Sequence, residues 1–427
     1  MSAEDYVPSY YLATAKGLAA RPRLEGEVEA DVCVVGAGFT GLSTALNLAE
    51  KGYRVVVLEA ERVGWGASGR NGGQINSDFS CGIERIRDWV GPEDARRLWS
   101  LAEESKAIVR ERVARHDIDC DLTWGLLLAA EKRRQLDDLR RTQDRYRRDY
   151  GYRKTAIVEK DEIRGHVDSE IYLGGMTDAG AGHLHPLNYC LGLARAAEAA
   201  GVRIYEGSRV VAFDGGGAPS AQSERGRVRA GFLVLCCNAY LGDLAPRIRR
   251  KIMPVGTYIG ATEVLGENRA RGLIPRNEAV CDCRFVLNYF RLSADHRLLF
   301  GGRVSYSTLA PPDLPAAMRR NMLAVFPGLA DAGFDFTWGG FVAITMERTP
   351  HLGRLGQTTY FAHGFSGQGV ALTGIAGKVI AEAIAGQAER FDLFAKLPHT
   401  TFPGGRLLRT PTLALAMLWN RLRDLLP

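Results

Sequence analysis

Three observations in the 427-residue chain predict an α/β fold, in which one doubly wound domain is assembled from separate stretches and a β-rich α+β domain fills the gaps. The first is a strand–helix–strand pattern near the start. "ADVCVVGAG" (residues 30–38) is a β-branched run with no polar interruption, suited to a strand buried on both faces; "GLSTALNLAEKG" (41–52) has apolar residues at 42, 45, 46 and 49, and "YRVVVLEA" (53–60) is a second buried strand. The second is the return of strand, glycine turn and helix in "TTYFAHGFSGQGVALTGIAGKVIAEAIAG" (358–386), with apolar residues at 372, 375, 379 and 380. The third is length, which exceeds one ordinary core and favours two domains.

The remaining elements follow in order. The helix of the first unit stops at Gly52. Residues 92–148 are charged and helical in pattern, and the mixed-sign run "EKRRQLDDLRRTQDRYRRDYGYRK" (131–154) reads as a solvated helix face. Residues 182–213 give a helix and then a strand, and 215–226 a hairpin leading into a buried strand at 232–237. Short aromatic-rich runs over 252–300 suggest an antiparallel sheet. The expected division is 1–90, 180–247 and 340–400 for the doubly wound domain, 91–179 and 248–339 for the substrate domain, and 401–427 for a helical tail.

Composition excludes several classes. The net charge of +6 is scattered, with no basic stripe interleaved with aromatics, so nucleic acid is not an expected partner. The eight cysteines contain no CxxC pair, and "CDC" (281–283) lacks a second half at zinc spacing, so no metal site is expected and the thiols read as reduced in a cytoplasmic protein. The opening residues lack a basic run followed by an apolar one, so no secretory signal is expected, and no run of about 18 apolar residues predicts a spanning helix. The tail "RLLRTPTLALAMLWNRLRDLLP" (406–427) reads as a docked cover helix, with peripheral contact at the inner face of a membrane as the alternative.

Gly36, Gly38 and Gly41 form GxGxxG between a buried strand and a helix, and Glu59 follows Gly41 by 18 residues. The first glycine makes the tight turn, the second admits a pyrophosphate to the backbone, and the third lets helix and sheet pack closely. An acid at the end of the next strand accepts hydrogen bonds from a ribose diol and disfavours a 2′-phosphate, leaving FAD or NAD. The stretch "GWGASGRNGGQ" (64–74), with five glycines, decides between them. A simple NAD site has no use for a second glycine-rich loop directly after the acid, whereas the ribityl chain and ring of FAD must be wrapped by backbone. Ser68, Arg70 and Asn71 offer polar contacts there.

At this point "SYY" (9–11), "ADVCVVGAGFTGLSTALNLAEKG" (30–52), "GASGRNGGQ" (66–74), "HLHPLN" (183–188), "NAYLGD" (238–243), "YFRLSADHRLLFGG" (289–302) and "ERFDLFAKLPHTTFPGGR" (389–406) carry a resemblance along nearly the whole chain. The sequence resembles the amino-acid oxidase branch of the FAD-dependent amine oxidoreductases, which includes glycine oxidase and monomeric sarcosine oxidase, and within it the members of bacterial putrescine breakdown. The resemblance implies that Gly66, Ala67, Ser68, Arg70, Asn71, Gly72, Gly73 and Gln74 line the pyrophosphate, ribityl chain and ring edge. It adds Phe39, Thr40, Ala60, Arg62 and Asn238 to the cofactor set and places Val210 against the adenine through its backbone. Gly364, Ser366, Gly367, Gln368 and Gly369 fall beneath the isoalloxazine, and a helix starting near Gly369 aims its positive end at the ring. No cysteine follows Cys283 and no histidine lies in 64–74, so the usual covalent links are missing and FAD is expected to be noncovalent.

Two departures bear on substrate. Val342 stands where glycine oxidase has its carboxylate-binding arginine, and Leu299 lies near the position of the oxygen-activating lysine of sarcosine oxidase. The implied activity is oxidation at a CH–NH2 or CH–NH donor by hydride transfer to the flavin, giving an imine and then an aldehyde. Gamma-glutamylputrescine is the favoured substrate, and O2, a quinone or another acceptor reoxidises the flavin. Oxidation of L-pipecolate or another secondary amino acid is the alternative within the class, and a noncatalytic flavin-binding protein the alternative outside it. Arg303 is the candidate for gripping a substrate carboxylate, against a surface salt bridge. Tyr289 is read as facing the ring, against a core position. His183 and His185 are candidates for approaching the site or for capping the helix from Leu187.

Overall fold

The computed structural model describes residues 6–284, 287–302 and 313–403. Arg303 and the tail from 404 onward lie outside the described residues.

A six-stranded sheet runs in the spatial order His351–Leu355, Thr359–His363, Phe232–Leu235, Val32–Val35, Val55–Leu58, Arg203–Tyr205. All neighbours are parallel except the first pair. Every residue of Val32–Val35 and Val55–Leu58 is buried, as expected for strands covered on both faces. One face carries Phe39–Ala49, Gly369–Ile384 and Pro186–Ala199. The first two lie so close that a Cβ on Gly377 would come within 2.6 Å of Ser43 Cβ, and Ser43 Oγ donates to the Gly374 carbonyl at 2.8 Å. The other face packs on a four-stranded sheet in the order Gly26–Glu29, Gly226–Arg229, Ser220–Ser223, Val210–Asp214.

The second large sheet has nine strands. Its main path is Phe334–Ile344, Met253–Thr262, Leu298–Gly302, Tyr289–Leu292, Ala279–Asp282, Thr123–Ala130, Gly174–His183 and Gln74–Ile75, with Thr155–Val158 paired beside Gly174–His183. It is antiparallel except between Ala279–Asp282 and Thr123–Ala130. Phe290, Phe300, Met318, Met322 and Phe326 fill a core on one face.

The helical reading of 92–148 requires correction. Ile83–Arg115 and Arg133–Tyr150 are helices, but Thr123–Ala130 between them is a strand bonded on both edges. Its Leu and Ala residues favour helix in isolation; two waiting strand edges override that preference. Ile83–Arg115 also crosses the boundary expected at residue 90: it breaks at Gly91 (φ +81°), and its far half packs on Gly369–Ile384, with Arg112 Nη1 donating to Ser43 Oγ at 2.9 Å. Among the described residues no single helix is long and apolar enough to cross a membrane.

Candidate cofactor and substrate site

The strand Val32–Val35 ends on Gly36, whose φ of +105° and close approach to the Cys236 carbonyl admit only glycine. A Cβ on Gly41 would overlap the Gly36 carbonyl, so this glycine sets the approach of helix to strand and does not line the cavity. Gly38 caps Phe39–Ala49 and faces Ser68, whose Oγ accepts from Phe39 N at 3.0 Å. Glu59 accepts from Ala37 N at 2.7 Å and Glu61 N at 2.9 Å. Burial raises its carboxyl pKa against those two donors. A carboxylate has about four acceptor positions, so two backbone bonds leave Glu59 capacity for a diol.

One cavity of about 1110 Å³ is lined by Glu59, Ala60 and Val210, by Gly36, Gly38, Phe39 and Thr40, and by Gly66, Ala67, Ser68, Asn71, Gly72 and Gln74. Asn238, Ser366, Gly367, Gln368 and Gly369 complete that part of the wall. Of the expected cofactor set, Gly41, Arg62, Arg70, Gly73 and Gly364 stand behind the wall. Arg62 pairs with Glu206 at 3.1 Å, and Arg70 lies over the Trp65 ring at 4.0 Å while its Nε donates to the Trp65 carbonyl at 2.6 Å. A Cβ on Gly73 would overlap the Leu184 carbonyl. Gly364 donates its N–H to Asn238 Oδ1 at 3.0 Å and so positions the turn without facing the cavity.

The glycines of 64–74 thus answer to the protein as much as to a ligand. Gly69 is enforced by the Gly64 carbonyl, and Gly72 by the Tyr289 ring, whose Cε2 would lie 2.7 Å from a Cβ there. Arg291, which sequence reasoning missed, holds the loop. It is 3 % exposed and donates to the carbonyls of Gly72 (2.8 Å), Leu184 (2.9 Å) and Leu292 (3.1 Å), with Tyr11 Oη at 3.3 Å. Its signal was an arginine inside the apolar run "YFRLS".

The residues fit FAD. Gly38 and Gly66 open backbone to the cavity, the helix Gly369–Ile384 begins at its wall, and the buried Gln368 Oε1 has no protein partner there.

Beyond Gly72 the wall changes character. Tyr289, Thr257, Val342, Ile344 and Met346 line it, with Asp282 and Arg284 at one side and Arg85 and Arg348 at another. Asp282 accepts from Asn288 N at 3.0 Å and Asn288 Nδ2 at 2.8 Å; burial, aided by nearby Glu131 and opposed by Arg284, pushes its carboxyl up to about 7. His183 does not line the cavity: Nε2 meets the Asn277 carbonyl at 2.9 Å, and burial drives its pKa down to about 3. His185 caps Pro186–Ala199, its Nδ1 accepting from Asn188 N at 3.1 Å. Leu299 is a buried core residue.

Comparison with known proteins gives the following. The sequence model of the family described as FAD dependent oxidoreductase matches residues 31–383. The chain is 43% identical to the gamma-glutamylputrescine oxidoreductase of Escherichia coli (strain K12), across 98% of this chain and 99% of that protein. It is 42% identical to the probable oxidoreductase OrdL of Haemophilus influenzae, across 99% and 98%. In fold it is similar to the glycine oxidase of Geobacillus kaustophilus, with a TM-score of 0.72 at 22% identity over 87% of this chain and 99% of that one.

Proposed function

The chain belongs to the FAD-dependent oxidoreductase family, and on that premise we propose that it oxidises gamma-glutamylputrescine at the primary amine of the putrescine arm. It is an oxidoreductase acting on a small amine with FAD and an electron acceptor. The specific substrate rests on one observation above all, the 43% identity to an enzyme of that name over essentially the full length of both chains. The site is compatible with a substrate longer than a simple α-amino acid. Val342, at the position of glycine oxidase's carboxylate-binding arginine, pairs with Val255 and presents an apolar surface to the cavity.

FAD, when bound, supplies a two-electron acceptor that takes hydride from the carbon beside the amine. The protein's part is to bind, orient and exclude water. Gly38, without a side chain, opens the start of Phe39–Ala49 to the cavity for an anionic phosphate group, while the N–H groups of Gly36, Ala37 and Phe39 are taken by the Leu58 carbonyl, Glu59 and Ser68 Oγ. Gln368 Oε1 offers a buried acceptor, and the start of Gly369–Ile384 contributes a positive helix end. Tyr289, held between Gly72 and Gly301, forms a fixed wall, and Val342, Ile344 and Met346 form an apolar one. An alkyl amine held against such walls favours its uncharged form, the form able to release hydride. Incubation of the holoenzyme with gamma-glutamylputrescine and O2 or an artificial acceptor, followed by trapping of aldehyde and assay of ammonia, tests the reading. Stoichiometric aldehyde and ammonia are expected; product from secondary amino acids alone would replace it.

A further inference from the structure

The cavity wall includes four arginines among the described residues, Arg85, Arg209, Arg284 and Arg348. Arg209 pairs with Glu61, and Arg284 pairs with Glu131 at 2.6 Å. Arg85 and Arg348 line the same cavity. After burial, the Arg85 charge is the next cause holding the Arg348 guanidinium below its usual pKa. Arg85 forms no ion pair among the described residues; its guanidinium lies 5.2 Å from the centre of the Trp89 ring. Two like charges brought to one wall repel, and an anion between them converts that repulsion into attraction.

The backbone at Arg348 points the same way. Its φ is +62°, in the left-handed region that glycine and asparagine favour and that a long side chain occupies only when its surroundings hold it there. Those surroundings belong to the site. Arg348 N donates to the Thr345 carbonyl at 3.3 Å, and Thr345 N donates to Ser366 Oγ at 3.2 Å. Ser80 Oγ donates to the Ser366 carbonyl at 2.9 Å, so the segments bearing Arg85, Arg348 and Gln368 are tied at one corner. Val342 and Ile344 at the end of the strand Phe334–Ile344, and Met346 and Arg348 in the turn after it, all line the cavity, three apolar residues and then a cation. A chain molecule lying along that wall would have an alkyl portion against the first three and an anionic group at the fourth.

We propose that Arg85 and Arg348 together anchor a carboxylate at the end of the substrate remote from the reacting amine. They thereby select amines capped by a carboxylate-bearing group over bare diamines. The inference rests on the amine-oxidising reading above and adds the residues that set its specificity. Arg is suited to the task, since its planar fork accepts a carboxylate in two parallel hydrogen bonds.

The test uses the holoenzyme, Arg348→Gly and Arg85→Gln. Glycine suits the backbone angle at 348, so Arg348→Gly is expected to melt no lower than the parent and to retain FAD. Calorimetry with glutarate, a dicarboxylate without an amine, reads the anchor without turnover. The parent is expected to bind it and each variant to bind about 10- to 100-fold more weakly. In steady state, the ratio of kcat/KM for gamma-glutamylputrescine to that for putrescine is expected to fall by a similar factor, through KM. Glutarate affinity and selectivity ratio both unchanged in the variants would overturn the anchor while leaving amine oxidation standing. Weakened glutarate binding in an enzyme whose flavin no amine reduces would support the anchor and remove the substrate reading instead.

Discussion

Arg291 donates from Nε to the carbonyl of Gly72 at 2.8 Å and from Nη2 to that of Leu184 at 2.9 Å, joining an inner strand of the large sheet to the glycine loop of the cofactor cavity. Removing the guanidinium leaves buried carbonyls without donors, at about 1–3 kcal/mol each. With three carbonyls affected, Arg291→Met is therefore expected to lower unfolding stability by roughly 3 kcal/mol or more and to release FAD at lower denaturant than unfolding itself. Paired denaturation curves, one by flavin fluorescence and one by far-UV circular dichroism, check this. Coincident curves with parental midpoints would contradict it.

Ser68 stands in for a cap on a helix whose N-cap is Gly38, because its Oγ accepts from Phe39 N at 3.0 Å. Ser68→Ala removes that acceptor and is expected to cost about 0.5–2 kcal/mol in stability. It should also weaken FAD binding, measured by titrating apoenzyme with the cofactor. At Gly41 the obstacle is the Gly36 carbonyl itself, which cannot swing aside as a side chain would. Gly41→Ala is expected to yield protein without bound FAD.

The first βαβ unit, the fingerprint glycines and the second glycine loop were legible because each carries a local signature: an apolar strand, a 3.6-residue period, a turn that only glycine makes. The strand Thr123–Ala130 was not, since its identity comes from edges supplied by residues 174–183 and 279–282, far away in sequence. Arg70 and Arg62 looked like cofactor contacts because they sit in the right segments, yet Trp65 and Glu206 claim them. Arg348 and Arg291 were invisible for the converse reason. A cation gains its meaning from what faces it across the fold, and nothing near Arg348 in the sequence announces Arg85.

Tyr289 and Gly72 are coupled by contact, a Cβ at 72 lying 2.7 Å from Tyr289 Cε2. Gly72→Ala alone should displace the ring and reduce both FAD retention and kcat. Adding Tyr289→Leu should recover FAD retention, giving a coupling of about 1–2 kcal/mol in a double-mutant cycle. Additive losses would contradict the contact.

Five histidines are held neutral by burial: His183, His185 and His363 have pKa values lowered to about 3, His351 to about 2 and His399 to about 4. Each binds a proton in the unfolded chain near pH 6.5 but not in the native one. The stability they confer is present above pH 6.5 and is lost as pH falls towards those values. Asp282, raised to about 7, acts oppositely, and its contribution is lost as pH rises from about 4 to 7. Asp78, raised to about 6, and Glu59 and Glu103, also raised by burial, act in the same sense as Asp282, but the five histidines outnumber these four carboxyls and the melting temperature is expected to fall below pH 6.5. His363 is fully buried with neither ring nitrogen bonded to protein, so His363→Leu should recover about 2 kcal/mol of the loss between pH 6.5 and 5. A pH series of thermal melts with bound FAD, parent against variant, measures this; parallel curves would contradict it.

If this cavity brings a flavin and a carboxylate-capped primary amine together, as proposed, that amine must reduce the flavin within it. Anaerobic mixing of the holoenzyme with gamma-glutamylputrescine, followed by the oxidised-flavin absorbance, tests it most directly. Complete loss of the oxidised band within the mixing series, saturating with substrate, is expected, with much slower loss for putrescine at equal concentration. An oxidised spectrum that gamma-glutamylputrescine leaves unchanged, in protein shown to hold FAD, would contradict it.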